Sequence, residues 1–237
     1  MRSNSAEKEI KMTFEQLLFI SVGSIAMAAV MLLPRRWRAG LPMWKILLSA
    51  AVLTVLGVLG AKLMFLIESG FWAGASFYGA VFFPPLFMVL LALLLRVPPL
   101  TLLDLCAPAE CVMLALLKVL CLKNGCCGGR LLFTTASGGE IYFPSQIIEL
   151  LNALVLMVML LWLIRKGTWQ GRIYPIYMLL YGITRFILNL LRDTKPFLLG
   201  IPAGNFWSLV AIVIALIWLR LAHPQKGVAE SEKEITV

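Results

Sequence analysis

The sequence predicts an all-α integral membrane protein with seven transmembrane helices, its N-terminus outside and its C-terminus cytoplasmic. Three observations carry that prediction. The 237-residue chain is 61% hydrophobic with a mean hydropathy of +0.91, whereas soluble domains run at about 45–50% apolar. The excess is gathered in long runs, and a helix rising about 1.5 Å per residue needs about 20 such residues to cross about 30 Å of hydrocarbon. The basic residues behind the formal charge of +9 flank or interrupt these runs and form no soluble basic face. They therefore read as topology signals and anionic-lipid attraction, not as a nucleic-acid surface.

The first span, about Phe14–Pro34, is followed by Arg35, Arg36 and Arg38. A cleavable signal peptide carries its basic cluster before the apolar run, so this one is expected to stay as a helix. The second span, about Trp44–Ile67, carries Lys45 at its start, and the third, about Ala75–Leu95, follows a loop with no basic residue from Glu68 to Ala75. The fourth, about Leu102–Leu122, is the least regular, because Asp104, Pro108 and Glu110 interrupt it. The fifth, about Ser145–Ile164, ends at Arg165 and Lys166, and Arg172 precedes the sixth, about Ile173–Leu191. The seventh, about Asn205–Leu221, is followed by Lys226, with Arg220 in its last turn. Basic loops face the cytoplasm, which sets the orientation. Arg2, Lys8 and Lys11 oppose it and are offset by Glu7, Glu9 and Glu15.

Residues 1–223 thus form a single transmembrane helical domain with a short outer loop near 128–143, and 224–237 form a polar cytoplasmic tail. The Thr-Thr-Ala-Ser-Gly-Gly stretch in the loop reads as a turn, with a small hairpin as one form of it. The tail is polar enough to be disordered.

That topology brings polar residues of six spans to one depth. Lys62, Lys118 and Arg185 lie toward the outer ends of spans two, four and six. Tyr78, Gln146, Glu149, Asn205 and Ser208 lie near the outer beginnings of spans three, five and seven. Each has an ordinary explanation alone: Lys62 can snorkel, Tyr78 can join an aromatic belt, Glu149 can be a structural partner. A charge at mid-bilayer costs about 2.5–3.5 kcal/mol on insertion scales, so the coincidence points to a shared polar cavity. Tyr181, Arg185 and Asn189 recur every four residues and share a helix face, with Arg192 a turn further on. Arg185, about two turns inside its span, requires a permanent partner, and Glu149 or a lipid phosphate would serve. Lys62, Lys118, Lys123, Arg130, Arg185 and Arg192 against few acids favour an anionic ligand, and a guanidinium offers phosphate a bidentate fork.

At these residues the chain resembles the bacterial prolipoprotein diacylglyceryl transferases, in order from about Gly60 to Ser208. Gly60-Ala-Lys-Leu resembles the family's Gly-Ala-Arg-Leu, and Ala75-Ser-Phe-Tyr-Gly79 its Gly-x-Ser-Phe-His/Tyr-Gly. Asp104-Leu-Cys-Ala-Pro108 resembles Asp-x-x-Ala-Pro, and Lys118 through Arg130 the signature region. Pro144-Ser-Gln-Ile-Ile-Glu149 is similar to Pro-x-Gln-x-x-Glu, Tyr181-Gly-Ile-Thr-Arg185-Phe186 to Tyr-Gly-x-x-Arg-Phe, and Asn205-Phe-Trp-Ser208 to Gln-x-x-Ser.

The resemblance implies a bacterial cytoplasmic (inner) membrane enzyme that transfers the diacylglyceryl group of phosphatidylglycerol to the lipobox cysteine of a prolipoprotein, releasing glycerol phosphate. Its partners would be that lipid and the signal peptide, with no nucleic acid and no cofactor. It further implies that Arg185 holds the phosphate with Lys118 as second cation, and that Tyr78 sits near the reacting thiol. Asn124 and Gly125 would shape the signature turn, Gln146 and Glu149 would orient groups around it, and Lys62, Arg130, Tyr181, Asn189, Asn205 and Ser208 would complete the substrate site. The chain departs from the pattern at Lys118, where Arg is usual, at Leu117 and Leu120, which replace glycines, and at Asn189, where Glu is frequent. The short outer loop leaves little room for a head domain. Cys121 and the Cys126–Cys127 pair follow a cysteine-bearing version of the signature.

Other functions compatible with these residues are a lipid-binding protein of the same fold, a transferase with another acceptor, or a small transporter. Transport fits worst, since the charges sit at one side and do not line a path across. One histidine argues against a Cys/His zinc site, and no metal is expected. Cys126 reads as a small filler of a tight turn, with a covalent or redox role as the alternative.

Overall fold

The computed structural model describes residues 18–34, 41–70, 72, 74–135, 138–167, 169–192, 196–198 and 200–222. Seven helices occur among them: α1 (Leu18–Leu32), α2 (Met43–Ser69), α3 (Phe77–Leu94), α4 (Pro99–Asn124), α5 (Ser145–Lys166), α6 (Ile173–Asn189) and α7 (Ala203–Leu221). Five of them, α2 to α5 and α7, are long and apolar enough to cross a membrane. Their surfaces carry large apolar side chains in the open, such as Leu86 on α3, Val155 on α5 and Ile217 on α7. A water-soluble bundle would hide such a band, whereas lipid tails accept it. The expected polar tail from 224 lies outside the described residues.

Helices adjacent in sequence pack as antiparallel pairs, α2 on α3, α4 on α5 and α6 on α7. α4 is the hub: 61% of its spanning window is buried, against 22–39% for the other four, and it packs on α3, α5 and α6. The interruptions at Asp104, Pro108 and Glu110 do not break it. Pro108 lacks only one amide. Asp104 is used structurally: its carboxylate accepts the backbone amides of Gly171 (2.5 Å) and Tyr174 (3.1 Å). These sit at the start of α6, where amides have no intrahelical acceptor, so a carboxylate on a neighbouring helix caps it. Glu110 is likewise buried against the Tyr174 hydroxyl (3.1 Å), which also lies 2.9 Å from the Val81 carbonyl.

At the same end of the bundle, two basic residues cap helix C-termini. Lys45 Nζ donates to the Leu95 carbonyl after α3 (2.7 Å), and Arg172 Nε to the Ala222 carbonyl after α7 (2.9 Å). Cations there satisfy orphan carbonyls and oppose the negative end of the helix dipole.

The opposite end carries the longer connections. Between α4 and α5, β1 (Leu131–Thr134) and β2 (Glu140–Tyr142) form an antiparallel hairpin, with Tyr142 donating to Glu140 (2.6 Å). A second small pair, β3 (Pro196–Leu198) and β4 (Ile201–Pro202), joins α6 to α7. The hairpin base is tied to the end of α6 by an isolated bridge between Gly129 and Arg192 and by Arg130 N–H to Leu191 C=O (3.1 Å). Helix α6 stops at Asn189, earlier than the apolar run suggests. Arg185 therefore lies one turn from its end rather than two, and Arg192 stands beyond the helix, not on its face.

The glycines of the first two motifs meet across this end. A Cβ on Gly79 would lie 1.9 Å from the Gly60 carbonyl oxygen, so α2 and the start of α3 touch backbone to backbone. The Ser76 amide donates to Ala61 C=O in the same crossing (2.9 Å). That contact seats Tyr78 in the core.

Candidate active site

Three chain segments converge on one carboxylate. Glu149 stands one turn into α5, Lys118 less than two turns from the end of α4, and Arg185 one turn from the end of α6. Lys118 Nζ and Arg185 Nη1 both pair with Glu149 Oε2, and Arg192 Nη1 donates to Oε1 at 2.9 Å. The Glu149 side chain is 4% exposed, and Lys118, Arg185 and Arg192 are 9, 16 and 11% exposed. Burying charges is costly unless they are paired, and here three cations share the Glu149 carboxylate, an excess of two positive charges within this group of four, with Glu68, held by Ser76 (2.7 Å), as a further carboxylate whose charge acts on Arg185. Arg192 Nε is buried and meets no acceptor among the described residues.

Beside this cluster lies a layer of tyrosines. Tyr78 is 2% exposed, and its ring packs on Phe82 and Tyr181 at centroid separations of 5.7 and 5.5 Å. Its hydroxyl lies 2.5 Å from Ser208 Oγ. Ser208 spends its only hydrogen on the Gly204 carbonyl (2.6 Å), so Tyr78 is the donor. Asn189 Nδ2 donates to Asn205 Oδ1 (2.9 Å), and Asn205 Nδ2 to the Phe186 carbonyl (3.3 Å). These two amides lock the end of α6 to the start of α7.

The signature turn is organised from below. Gly125, at φ +62°, ends α4 in the left-handed conformation glycine tolerates. Gln146 Nε2 donates to the Cys126 carbonyl (2.8 Å) and Ser145 Oγ to that of Cys127 (2.6 Å). Asn124 is exposed at the end of α4 and Arg130 is exposed beside the hairpin. Lys62 does not join the Glu149 cluster. With Asn124 it lines a cavity of about 410 Å³ among α1, α2, α3 and α4, otherwise walled by apolar groups such as Phe19, Leu53, Leu117 and Leu120, with Glu110 on its floor.

So the structure gathers Lys118, Glu149 and Arg185, with Tyr78, Tyr181 and Ser208 in a second layer and Asn189 and Asn205 in a third. Asn124, Gly125, Arg130 and Gln146 belong to the turn above, and Lys62 to the cavity. Arg192, which the sequence places among the cavity cations without a role of its own, is a direct member of the cluster. It lies outside the helix face shared by Tyr181 and Arg185, and only the bridge to Gly129 turns it inward. A basic residue just past an arginine-bearing span is the one sequence signal for it.

A sequence model for prolipoprotein diacylglyceryl transferase matches residues 18–221. The chain belongs to this family. Family membership makes it a transferase of lipoprotein biosynthesis, and the matched region covers all seven helices and every residue of the charged cluster. The phosphatidylglycerol–prolipoprotein diacylglyceryl transferase 2 of Clostridium perfringens is 28% identical over 211 residues, 78% of this chain and 82% of the relative. That of Clostridium tetani is 27% identical over 214 residues, 80% and 86%. That of Idiomarina loihiensis is 34% identical over 95 residues, 38% and 36%. Similarity to transferases therefore extends over most of the chain, and the cluster around Glu149 lies inside it.

Proposed function

We propose that the protein transfers the diacylglyceryl group of phosphatidylglycerol to the lipobox cysteine thiol of a prolipoprotein. The observation that carries this reading is the buried, doubly positive cluster of Lys118, Arg185 and Arg192 around Glu149 in a chain of the transferase family. A phosphodiester headgroup is an anion that such a cluster can take up from the bilayer.

In the reaction, the thiol sulfur bonds to the terminal glyceryl carbon of the lipid. The carbon–oxygen bond to phosphate breaks, its electron pair leaves with glycerol phosphate, and the thiol proton is lost. Charge builds on the departing phosphate, and fixed cations stabilise that charge without reorganising. Arg185 and Arg192 supply guanidinium forks, while Lys118 supplies a point charge where a fork is usual. Glu149 keeps the cations apart and aimed. Tyr78, held by Ser208, borders the place of the thiol. Gln146, with Asn124, Gly125 and Arg130, forms the rim, Tyr181, Asn189 and Asn205 fix the α6–α7 wall, and Lys62 marks the apolar cavity as a path for acyl chains.

This reading places seven helices across a bacterial cytoplasmic membrane, with the N-terminus and the hairpin outside and the C-terminus inside. Residues 1–223 are one domain in it, and the segment from 224 is a cytoplasmic tail. Prolipoproteins and phosphatidylglycerol meet at the outer face, where the cluster opens.

The test mixes purified protein with phosphatidylglycerol and a lipobox peptide and measures glycerol phosphate. Release is expected from the wild type, falling by about 10²–10³ in Arg185→Ala, as for loss of one fixed donor to a developing anion. No release from the wild type would sink the transferase reading. Lipid binding that persisted and depended on Arg185 would then make the protein a lipid binder of the same fold.

A further inference from the structure

Three of the five cysteines come together at the end of α4. The sulfurs of Cys121, Cys126 and Cys127 all lie within 4.8 Å of one another, and Cys121 Sγ is 3.9 Å from Cys127 Sγ. The other two, Cys106 and Cys111, are buried within α4. Sequence spacing alone does not announce the cluster, because Cys121 is on the helix and the vicinal pair lies beyond its cap.

The turn that produces it is strained and held. Gly125 reverses the chain at φ +62°, and Cys127 follows at φ +62°, one of two non-glycine residues with positive φ among the described residues. A residue with a Cβ is disfavoured in the left-handed region, and such outliers persist where the surroundings fix them. Here the Cys126 amide donates to the Cys121 carbonyl (3.1 Å), and Gln146 and Ser145 hold the carbonyls of Cys126 and Cys127. The first of these bonds folds the vicinal pair back over Cys121, and the other two fix the turn against the start of α5.

We propose that Cys121, Cys126 and Cys127 form a three-sulfur site for a soft, thiophilic cation of d10 type, such as Cu(I) or Zn(II). Thiolate–metal bonds of about 2.3 Å put the sulfurs of a three-coordinate ion about 4 Å apart, close to the spacing the turn already has. A disulfide needs about 2.0 Å, would use only two of the three, and would leave the third thiol without a role. Soft sulfur donors select such ions over magnesium or calcium. Binding exchanges three S–H protons, released to solvent, for three sulfur–metal bonds, with no change of oxidation state. The resulting complex is anionic, and Lys118 and Arg192, whose charges act on Cys127, balance it. An occupied site would pin the last turns of α4 to the turn that follows its cap. The site shares Lys118 and Arg192 with the transferase reading, and its test reads metal binding rather than transfer.

The experiment titrates Cd²⁺ into the reduced, full-length protein in detergent. It follows the sulfur-to-metal charge-transfer absorption together with maleimide labelling of each cysteine by mass spectrometry. One saturating equivalent is expected, with Cys121, Cys126 and Cys127 all protected from maleimide. Affinity should fall at least about tenfold in each of Cys121→Ser, Cys126→Ser and Cys127→Ser, since even outer-shell changes at metal sites cost 10–100-fold. Size-exclusion profiles show whether each variant remains folded, and the protection pattern in the wild type stands on its own if one does not. Uptake no tighter than in the triple serine variant, or protection of only two cysteines, would overturn the site. So would isolation of the protein with a Cys121–Cys127 disulfide under mild reductant.

Discussion

Glu149 answers three cations with one carboxylate, so its removal is felt by all of them. Glu149→Gln leaves Lys118, Arg185 and Arg192 buried together without the carboxylate they share. A loss of about 3–5 kcal/mol is expected, the range for stripping one partner from a buried pair, and thermal unfolding in detergent reads it. An unchanged melting temperature would mean that water or lipid already neutralises the cluster. Lys118 invites the opposite test. Lys118→Arg restores a planar fork, and glycerol phosphate release should hold or rise, whereas Lys118→Ala should lower it by about 10²-fold or more. Equal rates in all three forms would remove Lys118 from the phosphate site. Arg185 stands out in the sequence because a guanidinium inside an apolar run demands a partner. Arg192 does not, because nothing in the run of residues after Asn189 says which way the chain turns.

Two contacts between elements decide where these side chains sit. The α2–α3 crossing leaves no room for a methyl group, since a Cβ on Gly79 would fall 1.9 Å from Gly60 O. Gly79→Ala should therefore force the helices apart and destabilise the protein by about 1–3 kcal/mol or more, again seen as a lowered melting temperature. A neutral result would show that α3 can slide without cost. At the other end, Asp104 on α4 caps α6 through Gly171 and Tyr174. Asp104→Ala strands those amides, at about 1–3 kcal/mol for buried groups left without a partner, and faster hydrogen exchange at the first turn of α6 is the specific sign. The seven apolar runs are legible because their lengths match the helices closely. Asp104 and Glu110 look like interruptions of the fourth run only while α6, which supplies their partners, is out of view.

For the whole molecule, the polar residues divide by end. Lys45, Arg172 and Asp104 secure helix termini at one end, and the charged cluster, the hairpin and the cysteine turn occupy the other. In the orientation proposed above, the cluster end faces outward. In a cysteine-free background, Gly138→Cys in the hairpin should react with a membrane-impermeant maleimide on intact cells, and Gly167→Cys after α5 only once the membrane is opened. The reverse pattern would invert the topology and move the site to the cytoplasm.

The sequence by itself determined the membrane class, the positions of the helices and the level at which charges gather. Each follows from hydrophobic run length and from the cost of a charge in hydrocarbon, both local properties of the chain. Only the tertiary structure decided which charges meet. Glu149 finds Lys118, Arg185 and Arg192 because α4 is the hub, α5 and α6 pack against it, and the Gly129–Arg192 bridge turns the last cation inward. It also separated Lys62 from that cluster and brought three sulfurs together across a helix cap. Partner choice depends on helix rotation and on turn geometry, and neither is encoded in any single run of residues.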